Sequence, residues 1–219
     1  MAGALITFEG IDGSGKSTQL RMLASELRLR GLGVVTTREP GGTTLGQRLR
    51  AALLDAQEQV DPLAELLVFA ADRAQHVRTQ LIPAINLNHV VLSDRYADAT
   101  VAYQGAGRGF DQKLIGEIVE LATGGLKPDL TLVFDLPVAE SAARTKRRAD
   151  KRQRDRLDFE NPRFHRRVRK AYLRMAKAEP ERVRIIDSRG PVEETHALVM
   201  EIVMPFLKER GLLTEASDQ

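Results

Sequence analysis

The sequence predicts an α/β fold of the P-loop NTPase type, with a doubly wound, five-stranded parallel sheet and helices on both faces. Two observations predict it. Five short apolar or β-branched runs alternate with longer segments of helical periodicity, as in parallel sheets with crossover helices; they lie at 5–8, 33–36, 89–93, 130–134 and 183–186. The first run also leads into the motif G-x-x-x-x-G-K-[ST] and then into a helix-like stretch, which is the order of elements in a phosphate-binding loop.

The helical segments are predicted at 15–30, 44–54, 61–86, 97–104, 111–123, 137–151, 161–178 and 191–209. Gly31 and Gly33 close the first helix, because glycine readily adopts the left-handed conformation of a helix C-terminus. Pro62 lies near the first turn of the third helix, and Gly124 ends the fifth. No internal repeat or break in composition interrupts the 219 residues, so residues 1–219 are predicted to form a single domain.

The phosphate-loop motif occupies Gly10–Ser17 and predicts a nucleoside triphosphate site. Its glycines permit the backbone conformations that point successive N–H groups at phosphate oxygens, and the helix N-terminus adds partial positive charge. Lys16 is predicted to reach the β- and γ-phosphates, and Ser17 to ligate Mg²⁺. The residues predicted to line this site are Gly10, Asp12, Gly13, Ser14, Gly15, Lys16, Ser17 and Thr18.

The charge of the chain is concentrated in one region. The formal net charge is only +3, yet residues 144–170 contain ten arginines and three lysines against four acids. Such a cluster is usually a solvated helix face and otherwise contacts a polyanion. Because a triphosphate is itself a polyanion and stacking aromatics are sparse in this region, nucleic-acid binding is not favoured.

The composition also narrows the setting of the protein. The absence of cysteine excludes disulfides, thiolate metal sites and cysteine nucleophiles, and it fits a reducing compartment. The N-terminus enters the first strand with no cationic flank and no long apolar segment, so neither export nor a membrane partner is expected. We expect a cytoplasmic location.

The residues that follow the strands indicate the class of P-loop protein. Ligands of an open parallel sheet gather at the carboxyl ends of its strands. No Asn-Lys-x-Asp element is present to read guanine, which disfavours a switch GTPase, and the third strand ends in Asp94 and Arg95. An arginine beside the phosphates suggests a second phosphorylated substrate, since transfer to an anionic phosphate needs positioning and charge neutralisation more than a base.

Five segments stand out by their order and spacing: Phe8–Thr18, Thr37–Thr43, Leu67–His76, Asp94–Tyr96 and Ala102–Gly105. Together they resemble the thymidylate kinase family, and the resemblance covers nearly the whole chain. The resemblance implies a nucleoside monophosphate kinase that transfers the γ-phosphoryl group of ATP to dTMP with Mg²⁺, giving dTDP and ADP. It also implies small-molecule substrates and a homodimer, with no stable nucleic-acid partner.

The resemblance assigns five residues to the acceptor nucleoside. Phe69 and Arg73 lie four residues apart and share a helix face, so Phe69 is expected to stack on the pyrimidine while Arg73 donates to a base carbonyl. The Tyr103 ring is expected to fill the space of a ribose 2′-hydroxyl, and the Gln104 amide to reach the base. Thr100 lies one helical turn before Gln104 and is expected to line the same pocket.

Five more residues are expected around the phosphates. Asp12 faces anionic phosphates and needs a cationic or hydrogen-bonding neighbour, for which Arg95, Mg²⁺ and the substrate 3′-hydroxyl are the candidates. Arg95 is expected to bridge donor and acceptor phosphates, since its planar fork suits their oxygens. Asp94 is expected to hold Mg²⁺ through water or to orient Arg95. Arg38 is expected at the acceptor phosphate, and Glu39 as an outer-sphere metal partner.

The arginine-rich region carries the remaining predictions. Arg144 is expected to stack on adenine, together with the loop 187–190. The loop positions 11–14 contain no arginine, so the chain resembles the bacterial type of thymidylate kinase, in which a lid, here about 147–160, supplies the catalytic cation. Arg152 and Arg154 are the expected catalytic residues of the lid, with Arg156 as a lid anchor.

Two alternative functions stay open at this point. The chain is also compatible with another P-loop kinase acting on dUMP, dCMP or a deoxynucleoside, and less readily with an ATP-dependent nucleic-acid-binding protein. Ala99 stands where many relatives have serine, so a hydroxyl contact there is lost or is supplied by Thr100. His76 and His165 are expected to be polar surface groups or neighbours of the site, because no second histidine lies at metal-binding spacing.

Overall fold

The fold is described from a computed structural model that covers residues 3–54, 59–149, 157 and 160–213. Its sheet is parallel and five-stranded, in the order β2-β3-β1-β4-β5. The strands are β1 (Ala4–Glu9), β2 (Val34–Arg38), β3 (Val90–Asp94), β4 (Leu130–Asp135) and β5 (Val183–Asp187). Because the chain extends from the central β1 to one edge and then to the other, the doubly wound sheet that the sequence predicts is confirmed.

Nine α-helices lie in the described residues: α1 (Lys16–Leu29), α2 (Thr44–Leu54), α3 (Pro62–His76), α4 (Ile82–Asn86), α5 (Ala97–Thr100), α6 (Gln112–Thr123), α7 (Val138–Ala149), α8 (Pro162–Ala178) and α9 (Val192–Glu209). Several begin at side chains that accept backbone N–H bonds. Asp61 caps α3 and Asp111 caps α6, each through two such bonds, which satisfies donors that a helix start leaves open. In this part of the chain, no helix combines the length and the hydropathy of a membrane span.

Two π-helical segments interrupt stretches that the sequence predicts as single helices. Val77–Leu81 joins α3 to α4, and Val101–Gly107 continues α5. The first ends two residues before Pro83, which lacks the N–H that an α-helical bond would use. The second brings Gly107 so close to α8 that a Cβ atom would lie 2.6 Å from the Phe164 ring. Such segments re-aim side chains and are frequent at functional sites.

The sheet is covered on both faces, as predicted. On one face, Ile6 and Phe8 pack with α1 and α9. On the other face, Leu5 packs with the first π-helical segment and α4, while Val133 packs with α8. Residues of β1 alternate between these two layers, as the two-residue period of a strand requires. The carboxyl ends of the strands therefore share one edge of a rigid sheet, and the candidate site lies there.

Candidate active site

The phosphate loop follows β1 and leads into α1, as the motif predicts. Gly10 has φ 131°, and a Cβ atom there would lie 2.5 Å from the Phe134 carbonyl oxygen, so only glycine fits. The Ser141 hydroxyl of α7 donates to the Asp12 carbonyl at 2.6 Å and anchors the loop from its other side. This anchor was not predicted, because residue 141 is 129 positions away in the sequence.

Lys16 lies almost fully buried at the start of α1. Its Nζ donates to the Ile11 carbonyl at 3.2 Å and lies 3.9 Å from Oδ1 of Asp12. Burial and the neighbouring Arg95 guanidinium lower the pKa of the ammonium. An ammonium that lies against a phosphate loop is suited to bind phosphate oxygens, so the geometry fits the role predicted for Lys16.

Arg95 pairs with Asp12 across the phosphate loop. Its Nη2 donates to Oδ1 of Asp12 at 2.8 Å, and its Nη1 donates to the Gly10 carbonyl at 3.1 Å. Although burial opposes both charges, the pairing lowers the pKa of Asp12 to about 2 and raises the pKa of Arg95 well above its usual range. Of the partners considered for Asp12, the structure places Arg95 beside it.

The backbone of Arg95 is held in a strained conformation. Its φ of 73° lies in the left-handed region, which is uncommon for a residue other than glycine. The Arg95 N–H donates to the Phe8 carbonyl at 3.0 Å, and the Ser93 hydroxyl donates to the Arg95 carbonyl at 2.7 Å. Such strain costs on the order of 1–3 kcal/mol and persists only where the surroundings determine it. Here it aims the guanidinium back over the phosphate loop.

Ser17 and Asp94 form the oxygen cluster predicted for a metal. The Ser17 hydroxyl donates to Oδ2 of Asp94. Within the described ranges, no group of three or more histidine, aspartate or glutamate side chains is placed to hold a metal. A hydroxyl and one carboxylate beside a phosphate site suit Mg²⁺, which keeps several waters and takes other oxygens from phosphates. Asp94 thus contacts Ser17. Among the described residues, no hydrogen bond joins its carboxylate to Arg95, which the alternative role of orienting Arg95 would require.

The base pocket is formed by α3 and the segment that follows β3. Arg73 is 3% exposed, and it donates to Glu39, to the Thr100 hydroxyl at 2.7 Å and to the Tyr96 carbonyl at 3.0 Å. A guanidinium has five N–H groups, so two remain for a ligand. Phe69, one turn earlier on the same helix, is half-buried. The structure therefore joins Thr100 to Arg73, as expected for residues of one pocket.

Tyr103 contributes a buried hydroxyl that has no hydrogen-bond partner among the described residues. Its ring lies under the Arg95 guanidinium, with 4.7 Å between the guanidinium carbon and the ring centroid, and it meets Phe164 edge-on. A buried hydroxyl is normally satisfied, so an unpartnered one beside the phosphate loop marks a place where a ligand or water binds. This position fits the proximity to the sugar predicted for Tyr103.

Glu39 is buried in a chain of polar contacts. Its carboxylate accepts from Nε of Arg73 and pairs with Nδ1 of His76, each at 2.8 Å, and Nε2 of His76 lies 2.7 Å from the Thr37 hydroxyl. His76 is 0% exposed, so the expectation of a surface position is wrong and that of a neighbour of the site is correct. Arg38, by contrast, is exposed, so its side chain is accessible to the phosphate of an incoming substrate.

Arg144 lies at the loop predicted to accompany it. Its guanidinium donates to the carbonyls of Ser188 and Arg189, at 3.0 and 3.2 Å. Two backbone bonds hold the planar group in place, and a held guanidinium plane offers a stacking surface for an aromatic ring. The predicted lid residues Arg152, Arg154 and Arg156 lie outside the described residues.

Two buried acids of the site were not predicted. Glu9 is 0% exposed and accepts from the Tyr96 N–H at 2.8 Å and from the Tyr172 hydroxyl at 2.7 Å. Burial raises the pKa of Glu9 to about 7, although Arg95 opposes the shift. Glu65, also 0% exposed, precedes Phe69 by four residues, and this helical spacing is the signal that links it to the base pocket.

Comparisons with known proteins point to one family. The profile of the thymidylate kinase family matches residues 8–199. A thymidylate kinase of Geotalea uraniireducens is 46% identical over 211 residues, covering 94% of this chain and 99% of the relative. One of Deinococcus radiodurans is 46% identical over 209 residues, covering 95% and 98%. The crystal structure of a thymidylate kinase from Ehrlichia chaffeensis matches with a TM-score of 0.76 at 34% identity, covering 93% of this chain and 100% of that one.

Proposed function

The chain belongs to the thymidylate kinase family, and from this premise we propose that it transfers the γ-phosphoryl group of ATP to dTMP, giving dTDP and ADP. The observation that carries the proposal is the position of Arg95. Its guanidinium contacts the phosphate loop through Asp12 and covers the Tyr103 ring of the acceptor pocket. One cation thus lies between the expected donor and acceptor phosphates.

The reaction requires positioning more than proton transfer. An oxygen of the dTMP phosphate forms a bond to the γ-phosphorus, while the bond from that phosphorus to the bridging oxygen breaks and its electrons stay on ADP. The acceptor phosphate is anionic at neutral pH, so no strong base is needed. Lys16 and Arg95 offset the negative charge that redistributes in the transition state, which preorganised cations in a water-poor site do effectively.

Ser17 and Asp94 would hold Mg²⁺, which supplies charge neutralisation to the phosphates of ATP when bound. The oxygen chemistry of this pair fits the ion. Arg38 ends β2 and Glu39 follows it, and the two lie beside this pair, since the Glu39 N–H donates to the Asp94 carbonyl at 3.0 Å. Arg38 would meet the acceptor phosphate, and Glu39 would act on the metal through water.

The acceptor pocket favours a deoxythymidine nucleotide. Phe69 stacks on the pyrimidine, and Arg73 uses its remaining N–H groups on a base carbonyl. Gln104 reaches the base from the π-helical segment 101–107, and Tyr103 fills the space beside the sugar C2′. Arg144, held by the loop 187–190, stacks on the adenine of ATP.

An acceptor screen tests this function. ADP formation is followed with ATP and Mg²⁺ against dTMP, dUMP, dCMP, ribothymidine monophosphate and thymidine, and products are identified by chromatography. We expect the highest kcat/KM for dTMP, and acceptor-dependent ADP formation that is slower by about 10²-fold or more with the Lys16→Ala variant. A higher kcat/KM for any other acceptor would contradict the assignment. Discrimination against dUMP rests on one methyl group, which is worth only about 1–3 kcal/mol.

The chain is further proposed to act as one nucleoside monophosphate kinase domain, of the bacterial type with a lid at about 147–160 that carries Arg152 and Arg154. The matches over 94–95% of the chain to relatives of nearly equal length support the single domain. We place the reaction in the cytoplasm, consistent with the lack of cysteine.

A homodimer through α3 and α6 is proposed from an exposed apolar face. Leu63 and Leu67 on α3 are 46% and 52% exposed, and Leu121 on the adjacent α6 is 79% exposed. α3 and α6 pack against each other, and exposed leucines on two adjacent helices are typical of an interaction surface. Sedimentation equilibrium should give a dimer for the wild type and a monomer for Leu67→Glu. Leu29→Glu, at a residue 81% exposed on α1, is the matched control and should stay dimeric; a monomeric wild type would refute the proposal.

A further inference from the structure

A buried polar cluster links α3 to the π-helical segment 101–107 and to the start of α8. Glu65 is 0% exposed. Its Oε1 accepts from Nε2 of Gln104 at 2.9 Å and from Nε of Arg108 at 3.0 Å, and its Oε2 accepts from Nη2 of Arg108 at 2.9 Å. Arg108 also donates to Glu160 at 2.5 Å. The phosphoryl transfer described above makes no use of Glu65.

This cluster determines which way the Gln104 side-chain amide faces. A carboxylate that accepts two bonds from a guanidinium can offer Gln104 only an acceptor, so the NH₂ end of the amide must face Glu65. The carbonyl end then points away from Glu65. The side-chain oxygen of Gln104 accepts no hydrogen bond from the residues that the structure describes, although Gln104 is only 2% exposed.

The orientation has a consequence for base selection. Thymine and uracil carry an N–H donor at N3, whereas cytosine has an acceptor there. A fixed carbonyl oxygen accepts a hydrogen bond from N3–H of thymine or uracil and repels the N3 lone pair of cytosine. A buried polar group left unpaired costs about 1–3 kcal/mol. A freely rotating glutamine amide would accept either base, because turning over exchanges its donor and its acceptor.

We propose that Glu65 is a positioning residue that locks the Gln104 amide with its carbonyl toward N3 of the acceptor base and so excludes cytosine nucleotides. Glu65 acts through Gln104 and does not touch the base. The proposal rests on the proposed function, since Gln104 meets a base only if the acceptor is a pyrimidine nucleotide. Arg108 holds the Glu65 carboxylate in place through two hydrogen bonds.

The test uses Glu65→Gln, which keeps the shape of the side chain but can donate as well as accept. The Gln104 amide can then turn over and present its NH₂ group to N3 of cytosine. The kcat/KM values for dTMP and dCMP are measured on the full chain, for the wild type and the variant. Arg108→Lys is the matched control, because it alters the ion pair but leaves an acceptor-only carboxylate facing Gln104.

We expect the dTMP to dCMP ratio of kcat/KM to fall about 10-fold or more in Glu65→Gln, through a rise for dCMP as well as a loss for dTMP, and to stay at the wild-type value in Arg108→Lys. If Glu65→Gln fails to fold, the double variant Glu65→Gln/Arg108→Gln leaves no guanidinium stranded and is measured in the same way.

Two results would overturn the proposal: an unchanged ratio when Glu65 is replaced, or equal losses of selectivity in the Glu65 and Arg108 variants, since both indicate a merely structural role. A wild type that does not phosphorylate dTMP at all would instead refute the proposed function. The wild-type arm of the same experiment therefore separates the two failures.

Discussion

Replacing Glu9 with glutamine should make the protein less sensitive to rising pH. Compared with the wild type, the variant should gain stability between acid pH and pH values above neutral. Glu9 is fully buried at the end of β1, between the Tyr96 N–H and the Tyr172 hydroxyl. Glutamine can keep both contacts, because its carbonyl accepts from the N–H and its NH₂ group donates to the phenolic oxygen. The substitution therefore removes the titrating group with little change in shape.

The magnitude follows from the shifted pKa. Burial raises the pKa of Glu9 from 4.5 to about 7, so the folded state holds its proton more tightly than the unfolded state. A group whose pKa is higher in the folded state stabilises the protein fully at pH values below its pKa in the unfolded state. This stabilisation is lost as pH rises through its pKa in the folded state. At 1.36 kcal/mol per pKa unit, the contribution lost between pH 5 and pH 8 is about 2–3 kcal/mol. The glutamine variant does not lose it.

Urea unfolding of both proteins at half-unit steps from pH 5 to pH 8 measures this difference. The free energy of unfolding of Glu9→Gln minus that of the wild type should rise by about 2–3 kcal/mol over this range. Glu193→Gln, on the exposed first turn of α9, is the control for the loss of a carboxylate from the surface, and the rise for Glu9→Gln should exceed the rise for this variant. A constant difference for Glu9→Gln would refute the reasoning, because Glu9 would then titrate alike in both states.

Three further predictions concern the reaction. Tyr103→Ala should relax the preference for deoxy over ribo acceptors. Unchanged kcat/KM ratios in this variant would exclude Tyr103 as the sugar gate. Lys16→Ala and Arg95→Ala should lower kcat by about 10²-fold or more with unchanged circular dichroism, and near wild-type turnover would remove either residue from the catalytic set. Arg152→Met or Arg154→Met should cut kcat by about 10²-fold without an equal rise in the KM for dTMP; wild-type rates in both single variants and in the double variant would place the transition-state cation elsewhere.

The local parts of the site were predictable from the sequence. The phosphate loop is one contiguous segment, so its glycines, Lys16 and Ser17 are placed by rules that act over a few residues. The fold class was equally accessible, because strand and helix periods alternate along the whole chain and the profile of one family spans residues 8–199. The two π-helical segments were not, since their i+5 bonding depends on Pro83 and on the close packing of Gly107 against Phe164.

Residue identity and spacing alone determined that this chain has a phosphate loop, a parallel sheet and an arginine after β3. Only the tertiary structure decided which partners the charged side chains take. Glu9 meets Tyr172 across 163 positions, Asp12 meets Arg95 across 83, and Glu65 meets Gln104 across 39. The physical reason is that a charged group in water needs no particular partner, whereas burial removes the water and makes the choice of partner decisive.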